Sequence, residues 1–178
     1  MSVRPYQAKK PQIGDNTYID SAACVIGDVV LGDNCSVWPM TVIRGDVHYI
    51  RIGHKTNIQD ASVLHVTHYG EYNPEGSPLN IGDEVTIGHS AVIHACTIGN
   101  RCLVGMHATL MDDVIIEDDV MIAAHSLVSP GKRLESGYLY RGSPAKAVRQ
   151  LTDEELQFLR YSANHYSELK DTYIKENS

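Results

Sequence analysis

Residues 98–128 read IGNRCLVGMHATLMDDVIIEDDVMIAAHSLV, and Ile98, Val104, Leu110, Ile116, Ile122 and Val128 recur in this stretch at every sixth residue. A helix repeats its apolar face about every 3.6 residues and a half-buried strand about every two, so neither element accounts for the period. The same period extends backwards through Ile81, Ile87 and Ile93, through Ile52, Ile58 and Leu64, and through Ile13, Ile19, Val25, Leu31, Val37 and Ile43. All eighteen positions carry Ile, Val or Leu. A fixed period of this kind is the signature of a solenoid. Each hexapeptide supplies one short strand and one corner, three close a triangular coil, and the eighteen positions make about six coils. Gly follows the apolar position at Gly14, Gly32, Gly53, Gly82, Gly88, Gly99 and Gly105. That placement is expected where a corner demands unusual backbone angles, which Gly adopts at little steric cost. The expected fold is an all-β parallel β-helix over residues 1–150.

The period slips three times. Ile43 to Ile52 is nine residues, Leu64 to Ile81 is seventeen, and Ile93 to Ile98 is five. The longest slip contains YGEYNPEGSPL at Tyr69–Leu79, and its Pro, Gly and Asn mark an excursion loop. Residues 151–178 form a second element. Leu151–Lys175 reads as a helix, with Thr152 and Glu155 as a capping box and Leu156, Leu159, Ala163, Tyr166 and Tyr173 at helical spacing. This stripe packs along the β-helix or on a neighbouring subunit.

The composition is 43% apolar and 21% charged, which excludes a disordered chain. A net charge of −7 argues against general nucleic-acid binding. The start of the chain shows no apolar signal region, and no stretch is long enough to span a bilayer, so a cytoplasmic protein is expected. The cysteines Cys24, Cys35, Cys96 and Cys102 form no CxxC and read as reduced core thiols.

Faces A, B and C are labelled in order from Ile13. The residues that follow face C positions in the middle coils are Arg44, His65 and His94. Stacked on successive coils about 4.8 Å apart, His65 and His94 can converge on one metal ion. His89 lies at the opposite end of the face C strand. Five extended residues span roughly 16 Å and a Zn–N bond is about 2.0–2.1 Å, so His89 cannot join His94 within one chain. A threefold homotrimer resolves this, one subunit supplying His65 and His94 and the next His89. Three His leave a fourth position for water, whose pKa zinc lowers to about 7. Ferrous iron is the alternative, since three His suit both metals. Arg44 and Asp46 lie one coil below His65, and Gln59 and Asp60 one coil below His89. Arg44 is placed to pair with Asp60 across the interface, and Gln59 to orient the water or substrate. Arg44 and Asp46 also read as an interface salt bridge, and Asn57, Gln59 and Asp60 as ordinary corner residues. His48, His54, His68, His107, His125 and His165 read as surface or structural residues.

The segments Val42-Ile43-Arg44-Gly45-Asp46, Asn57-Ile58-Gln59-Asp60, Leu64-His65 and Gly88-His89 with His94, together with Gly142-Ser143-Pro144-Ala145-Lys146, resemble the γ-class carbonic anhydrase family, and in particular its bacterial short-loop branch. The resemblance implies a left-handed hexapeptide-repeat β-helix. It also implies His65, His89 and His94 as zinc ligands, and Arg44, Asp46, Gln59 and Asp60 as interface and active-site residues. Tyr166 resembles a tyrosine that the C-terminal helix brings near the metal. The implied reaction is hydration of CO2 to bicarbonate by a zinc-bound hydroxide at the trimer interface. The chain departs from the archaeal pattern in two places. Val47 stands where that pattern has Glu after the RGD-like segment, and the short Tyr69–Leu79 loop replaces a long acidic one, leaving Glu71 or Glu75 to shuttle protons. An acyltransferase, an acyl-CoA thioesterase using the same zinc water, and a metal-stabilised trimer without turnover are the competing readings on this fold.

Overall fold

The computed structural model describes residues 2–176; Met1, Asn177 and Ser178 lie outside it. Its architecture is a parallel β-helix closed by one C-terminal helix, α1, Asp153–Glu176. Short strands stack in register one coil apart, so that Leu64, Ile93 and Leu110 pair in one column and Ile58, Ile87 and Val104 in another. Of the eighteen periodic residues, all but Ile13 are buried; Ile13 is 38% exposed because it lines the open N-terminal end. The stack runs to roughly eight layers rather than six. Val3, Leu134 and Tyr140 extend the three columns by one position each, pairing with Val25, Ile116 and Ile122, and Ala145–Gln150 adds the eighth strand on face B.

Faces C and A merge into one twelve-stranded sheet, while face B forms an eight-stranded one. The merger occurs because Cys24–Leu31 and Val42–Ile52 run through the corner between faces C and A as unbroken strands. All three slips of the period fall at this corner. Gly45 pairs with Gly27 and Ile50 with Val29, so residues 46–49 arch outwards opposite Asp28. One coil further on, the excursion leaves the same corner. Thr67 and Ser77 bridge its base, so Leu79 belongs to the strand Leu79–Ile81 and not to the loop.

The glycines do a different job from the one expected. Gly14, Gly32, Gly53, Gly82, Gly88, Gly99 and Gly105 are not in the left-handed region; non-glycine residues two positions later occupy it, among them Asn16, Asn34 and Lys55 with φ of 51°, 59° and 56°. The glycines are required by close approach. A Cβ on Gly32 would lie 2.7 Å from the carbonyl carbon of Gly53 and 2.8 Å from the nitrogen of His54. Beside this column a side-chain ladder climbs the corner between faces A and B. The backbone N–H of Asp15 donates to Asp33, that of Asp33 to His54 Nδ1, and those of His54, Asp83 and Asn100 to Asp83, Asn100 and Asp118 in turn, at 2.7–2.9 Å. Each corner N–H, turned out of the sheet, thereby gains an acceptor.

Tyr138–Gly142 is the last strand of the winding, and Ala145–Gln150 turns back along it as an antiparallel hairpin, whose turn lies in the Gly142–Lys146 segment. The capping box then starts α1: Thr152 N–H donates to Glu155 and Glu155 N–H to the Thr152 hydroxyl. Leu159 and Ala163 of the stripe are buried, with Ser162 and Lys170, whereas Tyr173 is 38% exposed. The helix covers face B, against the strands of residues 18–19, 36–37, 57–58 and 86–87. All four cysteines are free thiols.

Gly32→Ala should lower the free energy of urea unfolding by about 1–3 kcal/mol, because every atom the new methyl meets is backbone. A pH dependence follows from Glu155. The Arg149 hydrogen bonds, aided by the Thr152 N–H, bring its carboxyl down to about 2. A depressed folded pKa contributes stability above the unfolded value of about 4.3 and loses it as pH falls through the folded one. Glu155→Gln should therefore flatten the acid-side fall of the unfolding midpoint between pH ~4 and ~2.

Candidate metal centre

The corner that carries the slips also carries His65 and His94. Their strands, Val63–His65 and Val92–His94, pair residue for residue. His65 Nδ1 and His94 Nε2 face each other at 3.2 Å. Two Zn–N bonds of about 2.0–2.1 Å meeting at the tetrahedral angle would place their nitrogens roughly 3.3 Å apart. The far nitrogen of each ring meets a carboxylate: His65 Nε2 lies 3.0 Å from Asp46 Oδ1 and His94 Nδ1 2.7 Å from Asp112 Oδ1.

These carboxylates decide where the ring protons sit. Burial pushes the Asp46 carboxyl up, but hydrogen bonds from Arg44 and His65 outweigh it and leave it below the usual carboxylate range. Burial likewise opposes ionisation of Asp112, and the Thr67 hydroxyl and His94 override it. An ionised carboxylate only accepts, so His65 Nε2 and His94 Nδ1 carry the protons. Burial, the largest effect on His65, holds its pKa below the ordinary value and favours the neutral ring. With both rings neutral, the two facing nitrogens at 3.2 Å would each present a lone pair, an arrangement that a cation between them would relieve. A carboxylate on the outer nitrogen of a ligating His is the usual support of a metal site.

His89 stands at the other end of the coil edge with the same support, Nδ1 at 2.8 Å from Asp60 Oδ2. Among the described residues no three His, Cys, Asp or Glu side chains of one chain come together to hold a metal. The structure thus joins His65 with His94, and Asp60 with His89, as two half-sites. Arg44 bonds Asp46 of its own chain. Gln59 is 5% exposed and donates from Nε2 to Asn57 Oδ1 at 3.1 Å. Tyr166 packs edge-on against Trp38, with ring centroids 5.7 Å apart, and its phenol pKa is raised by burial and by the charge of Asp60. It therefore belongs to the His89 half. Glu71 and Glu75 lie exposed on the excursion.

Sequence reasoning missed Asp112 and Thr67. Asp112 follows His94 by eighteen residues, one coil on, and that spacing was the available signal. His48, read as a surface or structural residue, is structural. It is 9% exposed and stacks on Tyr69 of the excursion at 4.7 Å.

The hexapeptide family described as bacterial transferase hexapeptide (six repeats) matches residues 10–45 and 95–130. Protein YrdA of Escherichia coli is 58% identical over 99% of this chain and 96% of its own length. A carbonic anhydrase of Geobacillus kaustophilus is 38% identical over 97% of this chain and 91% of its own. Among solved structures, a hexapeptide transferase family protein from Anaplasma phagocytophilum is 42% identical, with a TM-score of 0.89 over 97% of this chain and 98% of that one. A coiled parallel stack of six-residue repeats defines a hexapeptide-repeat protein. The chain belongs to the γ-class carbonic anhydrase-like family.

Proposed function

We propose that this protein is a zinc-dependent carbonic anhydrase-like enzyme that hydrates CO2 to bicarbonate at a centre completed between the subunits of a homotrimer. The observation that carries the proposal is the pair of facing ring nitrogens, His65 Nδ1 and His94 Nε2, 3.2 Å apart with a carboxylate on the far nitrogen of each ring. His89, supported by Asp60 in the same way, is the ligand brought by the neighbour. Face C is the surface for that contact. Its outward residues Val63 and Val92 are each 40% exposed, and Met40 and Met106 near its leading edge are 67% and 51% exposed. Apolar surface left uncovered along a strand column favours association. The other two faces differ: face B lies under α1, and face A turns a mostly polar column outwards, Gln12, Arg51, Asn80, Thr97 and Arg133 with Val30 and Ile115 between them.

Zinc bound by three imidazoles supplies a Lewis acid that lowers the pKa of water to about 7; ferrous iron is the alternative. The chain's own residues do the rest. Arg44 keeps Asp46 ionised, and Asp46, Asp60 and Asp112 fix the imidazole tautomers. Gln59 orients the attacking water, Tyr166 borders the His89 half, and Glu71 or Glu75 of the excursion carries the released proton to buffer. Among the described residues no helix is long and apolar enough to cross a membrane. Buried free thiols suit a reducing compartment, and a cytoplasmic location is part of the proposal.

Metal content and CO2 hydration should be measured together on protein purified without chelator. About one zinc per subunit is expected, with hydration abolished in His94→Ala. Asp112→Asn should bind metal about 10–100-fold more weakly while remaining folded. Bound metal without hydration would favour a thioesterase or an assembly role. No metal even after reconstitution with zinc would overturn the centre and favour the acyltransferase reading that the transferase relative represents.

A further inference from the structure

Gln59 is tied to the C-terminal helix by a buried polar chain. Gln59 Nε2 donates to Asn57 Oδ1 at 3.1 Å, Asn57 Nδ2 donates to Thr86 Oγ1 at 2.9 Å, and Thr86 Oγ1 meets Ser162 Oγ of α1 at 3.0 Å. All four residues are buried, with exposures of 5%, 1%, 4% and 8%. The direction of the chain is set at its middle. Asn57 Nδ2 also reaches the backbone oxygen of Val85 at 3.4 Å, and a carbonyl can only accept. The Asn57 amide nitrogen therefore belongs on the Thr86 side and its oxygen on the Gln59 side. Gln59 must answer with its nitrogen. Its own oxygen is left without a protein partner among the described residues, and it is not sealed from solvent. It sits at the corner where the next residue, Asp60, holds His89.

We propose that Thr86 and Ser162 are positioning residues that fix the Asn57 amide in the orientation set by the Val85 carbonyl, and through it the Gln59 amide, so that Gln59 meets the centre as a hydrogen-bond acceptor only. An acceptor there can accept a hydrogen bond from the attacking water and so aim the water's lone pair; a flipped amide would donate to that lone pair and block it. Docking of α1 on face B thereby presets a group at the His89 corner. The kinetic consequence rests on the carbonic anhydrase reading, whereas the amide orientation does not.

Thr86→Val keeps the shape and removes the hydroxyl, Thr86→Ser restores the hydroxyl, and Ser162→Ala removes its partner. Side-chain amide hydrogen exchange by NMR and CO2 hydration at equal metal content are the two readouts. In Thr86→Val the Gln59 and Asn57 side-chain amide protons should exchange about tenfold faster and kcat should fall about tenfold, the loss that accompanies one hydrogen bond. Thr86→Ser should recover both, and Ser162→Ala should show a smaller loss in the same direction. Native behaviour of Thr86→Val, or equal impairment of the Val and Ser variants, would overturn the proposal. If the native protein binds metal but does not hydrate CO2, the functional reading fails and amide exchange alone decides the orientation. If Thr86→Val does not fold, unchanged amide exchange in Ser162→Ala would overturn it.

Discussion

Parallel, in-register stacking of coils about 4.8 Å apart is the constraint on which everything else in this molecule depends. It places each residue above its counterpart one coil below, so that a choice made once is repeated as a column. Columns of Ile, Val and Leu fill the core. A column of glycines allows neighbouring corners to approach to distances that a Cβ would forbid. The Asp15–Asp33–His54–Asp83–Asn100–Asp118 ladder satisfies corner N–H groups in the same repeating way. The histidine pair is a column of two, and its spacing is that of the sheet.

Stacking alone makes a uniform prism, and chemistry requires a departure from it. The departures are gathered at the corner between faces C and A. The outward arch of residues 46–49 brings Asp46 to His65. The excursion lands through Thr67 on Asp112, the carboxylate that supports His94. Insertions at a corner leave the strand register intact, because the extra backbone leaves the sheet and returns to it. The other two corners keep their rhythm and with it the rigidity of the stack.

Electrostatics then converts a pair of stacked rings into a ligand set. An imidazole presents a lone pair on one nitrogen only, and which one depends on where its proton is held. Asp46, Asp60 and Asp112 each take a proton-bearing nitrogen, so the free nitrogens of His65 and His94 point at each other and His89 keeps its own for the outside. Arg44 and Thr67 in turn hold two of those carboxylates ionised despite their partial burial. The same logic extends through neutral groups from Ser162 to Gln59, where a backbone carbonyl sets the direction of the amides.

The six-residue period, the excursion, the capped helix and the stacking of His65 on His94 were legible in the chain, because each depends on spacing along it and on local side-chain preference. The same spacing separates His89 from His94 within one chain. Three things lay beyond that reach. Val3, ten residues before Ile13, is off the period and is recognised as an end layer only through its pairing with Val25, whereas Leu134 and Tyr140 continue the period past Val128. The role of the glycines is another, since close approach between coils depends on residues a whole coil away in the chain. The partnership of Asp112 with His94 and Thr67, and the burial that favours a neutral His65, arise where a loop folds back on a neighbouring coil. Side chains distant in the chain meet there through packing, and no local pattern records the meeting.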